Sequence, residues 1–169
     1  MKRKRVITDT GPLIHLEEIN AEKTWTLFPS ILVPDIVVDE LQFKPSIDNK
    51  TIKDNRFTIG QTNKTIIKTS QKLFRKYNIG RNDSIVLAHG VVNNFDILFT
   101  DDLKLRTITK LEHIRPVGSA GILYLSFLYK NMSIKELFTY LDRLMTDSSL
   151  FITWDIVEKI KKAAQEDIK

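Results

Sequence analysis

The sequence predicts a three-layer α/β/α fold with a parallel central sheet, and two observations carry the prediction. Short apolar runs alternate with helical periods of ten or more residues, the pattern of strands buried beneath crossover helices. Two of those runs, Arg5–Thr8 and Asp96–Thr100, lead into carboxylates, Asp9 and Asp101-Asp102. In an open α/β sheet the ligand crevice lies beyond the carboxyl ends of the strands, so these acids are expected at its mouth.

With 169 residues, 42% of them hydrophobic, the chain can build one core and is too short for two. A single domain over 1–169 is expected, with 133–169 as a C-terminal helical extension. The net charge of +5 points weakly toward a polyanionic partner. The absence of cysteine excludes disulfides, thiolate chemistry and Cys-rich zinc sites, and suits a reducing compartment. The basic start, Met1 to Arg5, runs into only a few apolar residues and lacks the apolar core of a secretory signal. The longest apolar stretch, Ala120–Tyr129, is about half of the roughly 20 residues that a spanning helix needs. A cytoplasmic protein with no membrane partner is expected.

The first strand, Arg5–Thr8, ends at Asp9, and Thr10-Gly11-Pro12 turns the chain into a helix at Leu13-Ile14. Proline is favoured at the first helical position, so Thr10 or Gly11 is expected as the cap, which leaves Asp9 without a structural job. Leu13, Ile14, Leu16 and Ile19 set a helical period that carries on toward Trp25 and Phe28. Ile31–Val33 reads as a strand closed by Pro34, with Asp35 as N-cap of a helix over Ile36–Phe43. On that helix Glu40 follows Ile36 by four and Val37 by three, so it shares the packing face while Asp39 points elsewhere.

Lys44–Asn55 is polar, contains Pro45 and reads as a loop; Arg56–Ile59 is a short strand. Lys64–Tyr77 is an amphipathic helix, with Ile66, Ile67, Leu73, Phe74 and Tyr77 on one side and Lys64, Lys68 and Lys72 repeating at i, i+4 on another. Such a lysine row is ordinarily a solvated face and gains interest only where it borders the crevice. Gly80 to Asp83 ends this helix and starts the next, Ser84–Val92, whose apolar residues read as deeply buried. Leu103–Leu111 is helical by period and carries Lys104, Arg106 and Lys110. Ile114–Val117 is the last parallel strand, followed by a buried helix over Gly118–Tyr129. In the tail, Ser133 and Glu136 form a capping box ahead of Leu137, Tyr140, Leu141 and Leu144. Leu150–Ile152 reads as an edge strand, and Thr153 as the cap of Trp154–Ile168. Leu141, Leu144, Val157 and Ile160 are expected to pack on the chain's own core rather than on a partner.

Carboxylates thus arise in four separated places: Asp9, Glu40, Asp83 and Asp101-Asp102. Like charges crowded into one crevice cannot all stay ionised unless a cation neutralises them, so their convergence would make a metal site. All-oxygen ligands suit magnesium or manganese. His15 and His89, in apolar helical stretches, read as core or boundary residues and His113 as a surface residue. Each acid also has a plain structural use: Asp83 as a cap, a ligand or both, Asp101 as N-cap of Leu103–Leu111, with one of Asp101 and Asp102 able to cap while the other remains free, and Glu40 as an ordinary helical glutamate.

The succession Asp9-Thr10-Gly11-Pro12-Leu13-Ile14, Val33-Pro34 with Val37-Val38-Asp39-Glu40-Leu41, Gly80-Arg81-Asn82-Asp83-Ser84-Ile85 and Leu98-Phe99-Thr100-Asp101-Asp102 resembles the PIN domain. The motifs run in that family's order over roughly the first two thirds of the chain, and the tail resembles its VapC-like ribonuclease toxins. The resemblance implies a nuclease whose acids bind Mg2+ or Mn2+ and which cuts RNA. Position by position, Asp9, Glu40, Asp83 and Asp102 match the four catalytic and metal-binding acids, with Asp101 adjoining as a further metal ligand. Thr10 and Thr100 match small hydroxyl positions beside them. Arg81 stands where the related branch often has glutamate, a departure that changes the third corner of the site and either lowers activity or brings a cation toward a phosphate. Arg81, Lys104 and Arg106 are the expected guides of the RNA backbone. The resemblance also implies a small antitoxin as partner, and a homodimer.

Two other readings compete. A catalytically silent PIN-like module that binds RNA or protein is favoured by Arg81, whereas the full set of acids favours the enzyme. A Rossmann-like phosphatase also fits acid-tipped strands, but Asp9 is followed by Thr10 and Gly11, with no Asp-x-Asp nucleophile motif.

Overall fold

In the computed structural model, which describes residues 4–43 and 51–168, the apolar runs form five parallel strands. They are β1 (Val6–Thr8), β2 (Ile31–Pro34), β3 (Phe57–Gly60), β4 (Ile97–Phe99) and β5 (Arg115–Val117). All three residues of β1 and of β4 are buried, as expected of strands covered on both faces. The helices are α1 (Thr10–Glu18), α2 (Asp35–Gln42), α3 (Lys64–Tyr77), α4 (Arg81–Val92), α5 (Leu103–Leu111), α6 (Ser119–Leu128), α7 (Ile134–Thr146) and α8 (Trp154–Glu166). Together they give the α/β/α arrangement with a parallel central sheet.

The strand order β3-β2-β1-β4-β5 decides where a site can form. From β1 the chain builds outward through β2 and β3, then returns across α3 and α4 to place β4 on the other side of β1. The boundary between β1 and β4 is therefore the topological switch point, where crossover connections diverge and leave a crevice at the carboxyl ends. Thr8 pairs with Phe99, and the N–H of Asp9 donates to the Phe99 carbonyl at 2.8 Å. Asp9 and Thr100 consequently leave the sheet side by side.

Beneath the sheet, Trp25 packs edge-on to Phe57 with centroids 5.7 Å apart, and Phe28 on Phe99 at 4.8 Å. Both aromatics arrive by a route that differs from the sequence expectation. The helical period does not run on from Ile19: Asn20 turns left-handed at φ 55°, Ala21 N–H bonds back to the Leu16 carbonyl, and a 3-10 turn over Glu22–Leu27 follows. Asparagine tolerates that backbone region because its short polar side chain can bond locally.

Elsewhere the differences are at element ends. Leu150–Ile152 forms no strand among the described residues, its approach instead pinned by Ser149 N–H donating to Glu18 at 2.7 Å. Asp35 stands one residue inside α2 rather than at its cap, which is Pro34; its carboxylate accepts from the N–H groups of Ile36 and Thr62. Of the loop expected over Lys44–Asn55, 44–50 lies outside the described residues, and a short 3-10 turn covers Thr51–Lys53. The capping box at Ser133 and Glu136 forms as expected. Thr153 precedes α8 but its side chain makes no capping bond. Leu137, Leu141, Leu144, Val157 and Ala164 are fully buried and Ile160 packs at the edge, so α7 and α8 close over their own chain's core. No helix among the described residues is long and apolar enough to cross a membrane.

Candidate active site

Asp9 caps α1. Its backbone is extended, at φ −87° and ψ 173°, and its Oδ1 accepts from the Thr10 N–H at 2.8 Å. The expectation that Thr10 or Gly11 would cap is thereby corrected. Proline belongs among the first helical positions because their N–H groups have no partner in the helix, and Pro12 meets that condition at the third position as well as at the first. The second oxygen, Oδ2, accepts from the Thr100 hydroxyl at 2.9 Å. Burial is the main force that pushes the Asp9 carboxyl up to about 6, opposed by those two donors and reinforced by Asp83 and Glu40.

Glu40 lies on the inner side of α2 and Asp39 is exposed, as the helical spacing requires. One Glu40 oxygen accepts from the Thr10 hydroxyl and the other from the Asn82 amide. Asp83 occupies the first turn of α4 rather than its cap, which is Gly80. Its carboxylate folds back over Gly80 so closely that a Cβ there would lie 2.7 Å from Oδ2. The Asp83 carboxyl is raised, first by burial and then by Asp102 and Glu40, while the Gly80 N–H and Lys104 pull it down.

The two neighbouring acids after β4 divide their roles in the opposite sense to the expected cap. Asp102, not Asp101, caps α5: its Oδ1 accepts from the Leu105 N–H, and its own N–H approaches the Thr100 hydroxyl at 3.3 Å. Asp101 turns away to accept from the N–H and hydroxyl of Ser119, at 2.7 and 2.6 Å, and it pairs with His15 Nδ1 at 2.8 Å. Asp101 therefore clasps α1 to the start of α6. Its partners lie 86 and 18 residues away, and no local pattern in the sequence signals either contact. His89 is buried and meets the Thr62 hydroxyl at 3.0 Å, and its burial lowers its basicity, which fits the core reading.

The cations frame this region. Arg81 is exposed on the first turn of α4. Lys104 donates to the Asn78 carbonyl and is near enough to Asp83 to favour its ionised form. Arg106 is half-buried on the other side, with Nη1 3.5 Å from where a Cβ on Gly118 would stand.

One hydrogen-bonded chain thus links the acids of three elements: Asp102 N–H to Thr100, Thr100 to Asp9, Asp9 to Thr10, Thr10 to Glu40 and Glu40 to Asn82, the neighbour of Asp83. Among the described residues no group of three or more His, Asp or Glu side chains is arranged to hold an ion as it stands. The reason is visible in the bonds, because each carboxylate is turned onto a hydroxyl, an amide or a backbone N–H. The donor set nevertheless suits a hard divalent cation: all its ligands are oxygens, and the carboxyls of Asp9 and Asp83 are raised first by burial and further by the acids beside them, crowding that a cation relieves.

No curated protein and no solved structure matches the chain. A family model described as a PIN domain matches residues 5–166, from β1 to the last turn of α8. Acids gathered at the switch point of an all-parallel α/β/α sheet, inside a match that spans almost the whole sequence, establish that this chain belongs to the PIN domain family.

Proposed function

We propose that the protein is a metal-dependent endoribonuclease of the PIN type, using Mg2+ or Mn2+, and that it serves as the toxin of a toxin–antitoxin pair in the cytoplasm. PIN domains are generally nucleases and typically bind these ions. The observation that carries the reading is the joining of Asp9, Glu40 and Asp102 through Thr10 and Thr100, with Asp83 close enough to raise Asp9.

In this reading Asp9 and Asp102 hold the main ion and Glu40 and Asp83 complete its shell, directly or through water. Such an ion supplies polarisation of the phosphate and a water acidic enough to attack it. Thr100 holds the Asp9 carboxylate and Thr10 the Glu40 carboxylate by hydroxyl donation. Arg81, Lys104 and Arg106 steer the phosphate backbone. Asp101, bound to His15 and Ser119, acts on the site by holding the loop after β4 in place. The chain acts as one unit over 1–169, with 133–169 as its helical extension, and pairs with a small antitoxin and with a second copy of itself.

The test is incubation of purified protein with mixed RNAs, with and without manganese, beside a chelator control and Asp9→Asn. Cleavage by the unaltered protein with metal only, and none by Asp9→Asn, is expected. Equal cleavage by a folded Asp9→Asn protein overturns the assignment. Growth arrest on expression that requires Asp9 is expected of a toxin, and unimpaired growth with abundant folded protein counts against that role. A silent RNA- or protein-binding module is the second reading, favoured by Arg81 and by carboxylates already satisfied without an ion. It predicts RNA retention without cleavage under every metal condition.

A further inference from the structure

Helix α3 carries Lys64, Lys68, Lys72, Arg75 and Lys76 and no acidic residue. Lys64, Lys68, Lys72 and Arg75 lie on one exposed side of it, and residues four apart are about 6 Å apart along the axis. Like charges at i, i+4 are mutually unfavourable, so a helix that is merely solvated normally intersperses acids. Here Lys76 pairs with Glu112 at 2.9 Å, whereas among the described residues Lys64, Lys68, Lys72, Arg75 and Arg81 form no ion pair.

Two further observations connect this stripe to the acids. A groove of about 380 Å³ between α3 and α4 is lined by Ile67, Gln71, Phe74, Arg75, Arg81 and Ile85, so Arg75 of the stripe and Arg81 share one depression, and Arg75 also lines the adjoining one with Lys68 and Lys72. Phe74 and Ile67 keep 38% and 44% of their surface exposed there, so the groove offers apolar surface beside the charges. Arg81 precedes Asn82, which bonds Glu40, and Lys104 bridges from the carbonyl just past the end of α3 toward Asp83. The C-terminal end of the row, at Arg75, therefore lies beside Arg81 and next to the crevice.

We propose that the outer face of α3 and the Phe74-lined groove beside it form a binding surface for single-stranded RNA, which leads the strand past Arg81 into the acidic crevice. The proposal rests on the nuclease reading for what happens in the crevice, but its binding step is independent of cleavage. Lysines about one helical turn apart can meet successive phosphates of one strand, and an exposed ring beside them can receive an unstacked base. Acid-free charge favours a polyanion over an ordinary protein surface. An exposed ring within the charged track favours a strand with free bases over a duplex.

The test is binding of a labelled single-stranded oligoribonucleotide to full-length Asp9→Asn protein in chelator, so that no cleavage is needed, over a series of salt concentrations. In that background, Lys64→Gln, Lys68→Gln and Lys72→Gln combined should weaken binding at 0.1 M salt by at least about tenfold. The slope of log K against log salt should become shallower by about 2, since each lost phosphate contact on a single strand contributes about 0.7. Phe74→Leu, which keeps apolar volume but removes the ring, should cost about fivefold. The same charge removed from the exposed tail helices, by Lys135→Gln, Lys159→Gln and Lys162→Gln combined, should change binding by less than about twofold. Equal loss with both triple variants, or none with the α3 triple, overturns the proposal. So does competition by polyglutamate as effective as by unlabelled RNA, which would assign the stripe to an acidic protein partner. If the unaltered protein cleaves no RNA, the nuclease reading fails while these binding results still decide this one.

Discussion

Replacing Asp9 by asparagine should make the protein more stable at neutral pH while abolishing metal-dependent cleavage. The Asp9 carboxyl titrates near 6 in the fold against 3.8 in the unfolded chain, mainly because of burial. An acid whose pKa rises on folding binds its proton more tightly in the native state, so ionising it weakens the fold. The penalty is absent below pH about 3.8, grows between 3.8 and about 6, and is complete above. About two pKa units at ~1.36 kcal/mol each set a ceiling of ~3 kcal/mol. Residual solvent access to the Asp9 side chain lowers that figure. Asparagine still caps helices well, but it gives up the charge-assisted bonds from Thr10 N–H and the Thr100 hydroxyl. The net expectation is ~1–2 kcal/mol of added stability at pH 8, or about 2–8 °C in Tm for a chain of this length. The assay is thermal or urea unfolding of both proteins, without divalent ions, from pH 4 to pH 8. The advantage of Asp9→Asn should vanish toward pH 4. A variant less stable than the parent at pH 8, or one whose advantage does not change with pH, would refute the burial argument. Adding Mg2+ at pH 8 should then stabilise the parent and leave Asp9→Asn almost unmoved, since only the parent retains the carboxylate proposed to bind it.

Three further outcomes follow from the same geometry. Gly80→Ala should reduce cleavage by about 10²-fold with little change in Tm, because the new Cβ displaces the Asp83 carboxylate while the backbone at residue 80 is ordinary; parallel kinetics and calorimetry check both halves. Leu141→Ala, at a fully buried contact of α7, should cost ~2–5 kcal/mol in urea unfolding, and a loss below ~1 kcal/mol would mean that the tail helices are not part of the core. Cleavage at subsaturating Mn2+ should rise with pH through about 6 as Asp9 loses its proton and admits the ion, and a flat profile between pH 5 and 7 would detach the raised Asp9 from the reaction.

The extents of the central elements were legible because they follow from short-range physics. Buried parallel strands are nearly continuous apolar runs, which is how β1 and β4 stand out, and α3 is bounded as its period predicts, from Lys64 to Tyr77. The placement of Glu40 inward and Asp39 outward needed only the helical repeat. The caps were less legible. At Asp9, Asp35 and the Asp101-Asp102 pair the observed cap stands one or two residues from the expected one, and the carboxylates are drawn to partners distant in sequence: Thr100 for Asp9, Thr62 for Asp35, Ser119 and His15 for Asp101. The break after Ile19 was hidden for a related reason, since an apolar spacing that suits a helix also suits a 3-10 turn whose aromatics reach the same core.

By itself the sequence determined that this chain makes a parallel α/β sheet between helices and that its acids stand at strand ends, at a helix start and on the inner face of a helix, because those features arise within a few residues of backbone. Only the tertiary structure decided that β4 lies against β1, and hence that Asp9 and Thr100 meet while Asp101 is drawn off to α1 and α6. Strand order is fixed by the joint packing of all the layers, and side chains separated by ninety residues exchange hydrogen bonds only after that packing has brought them together.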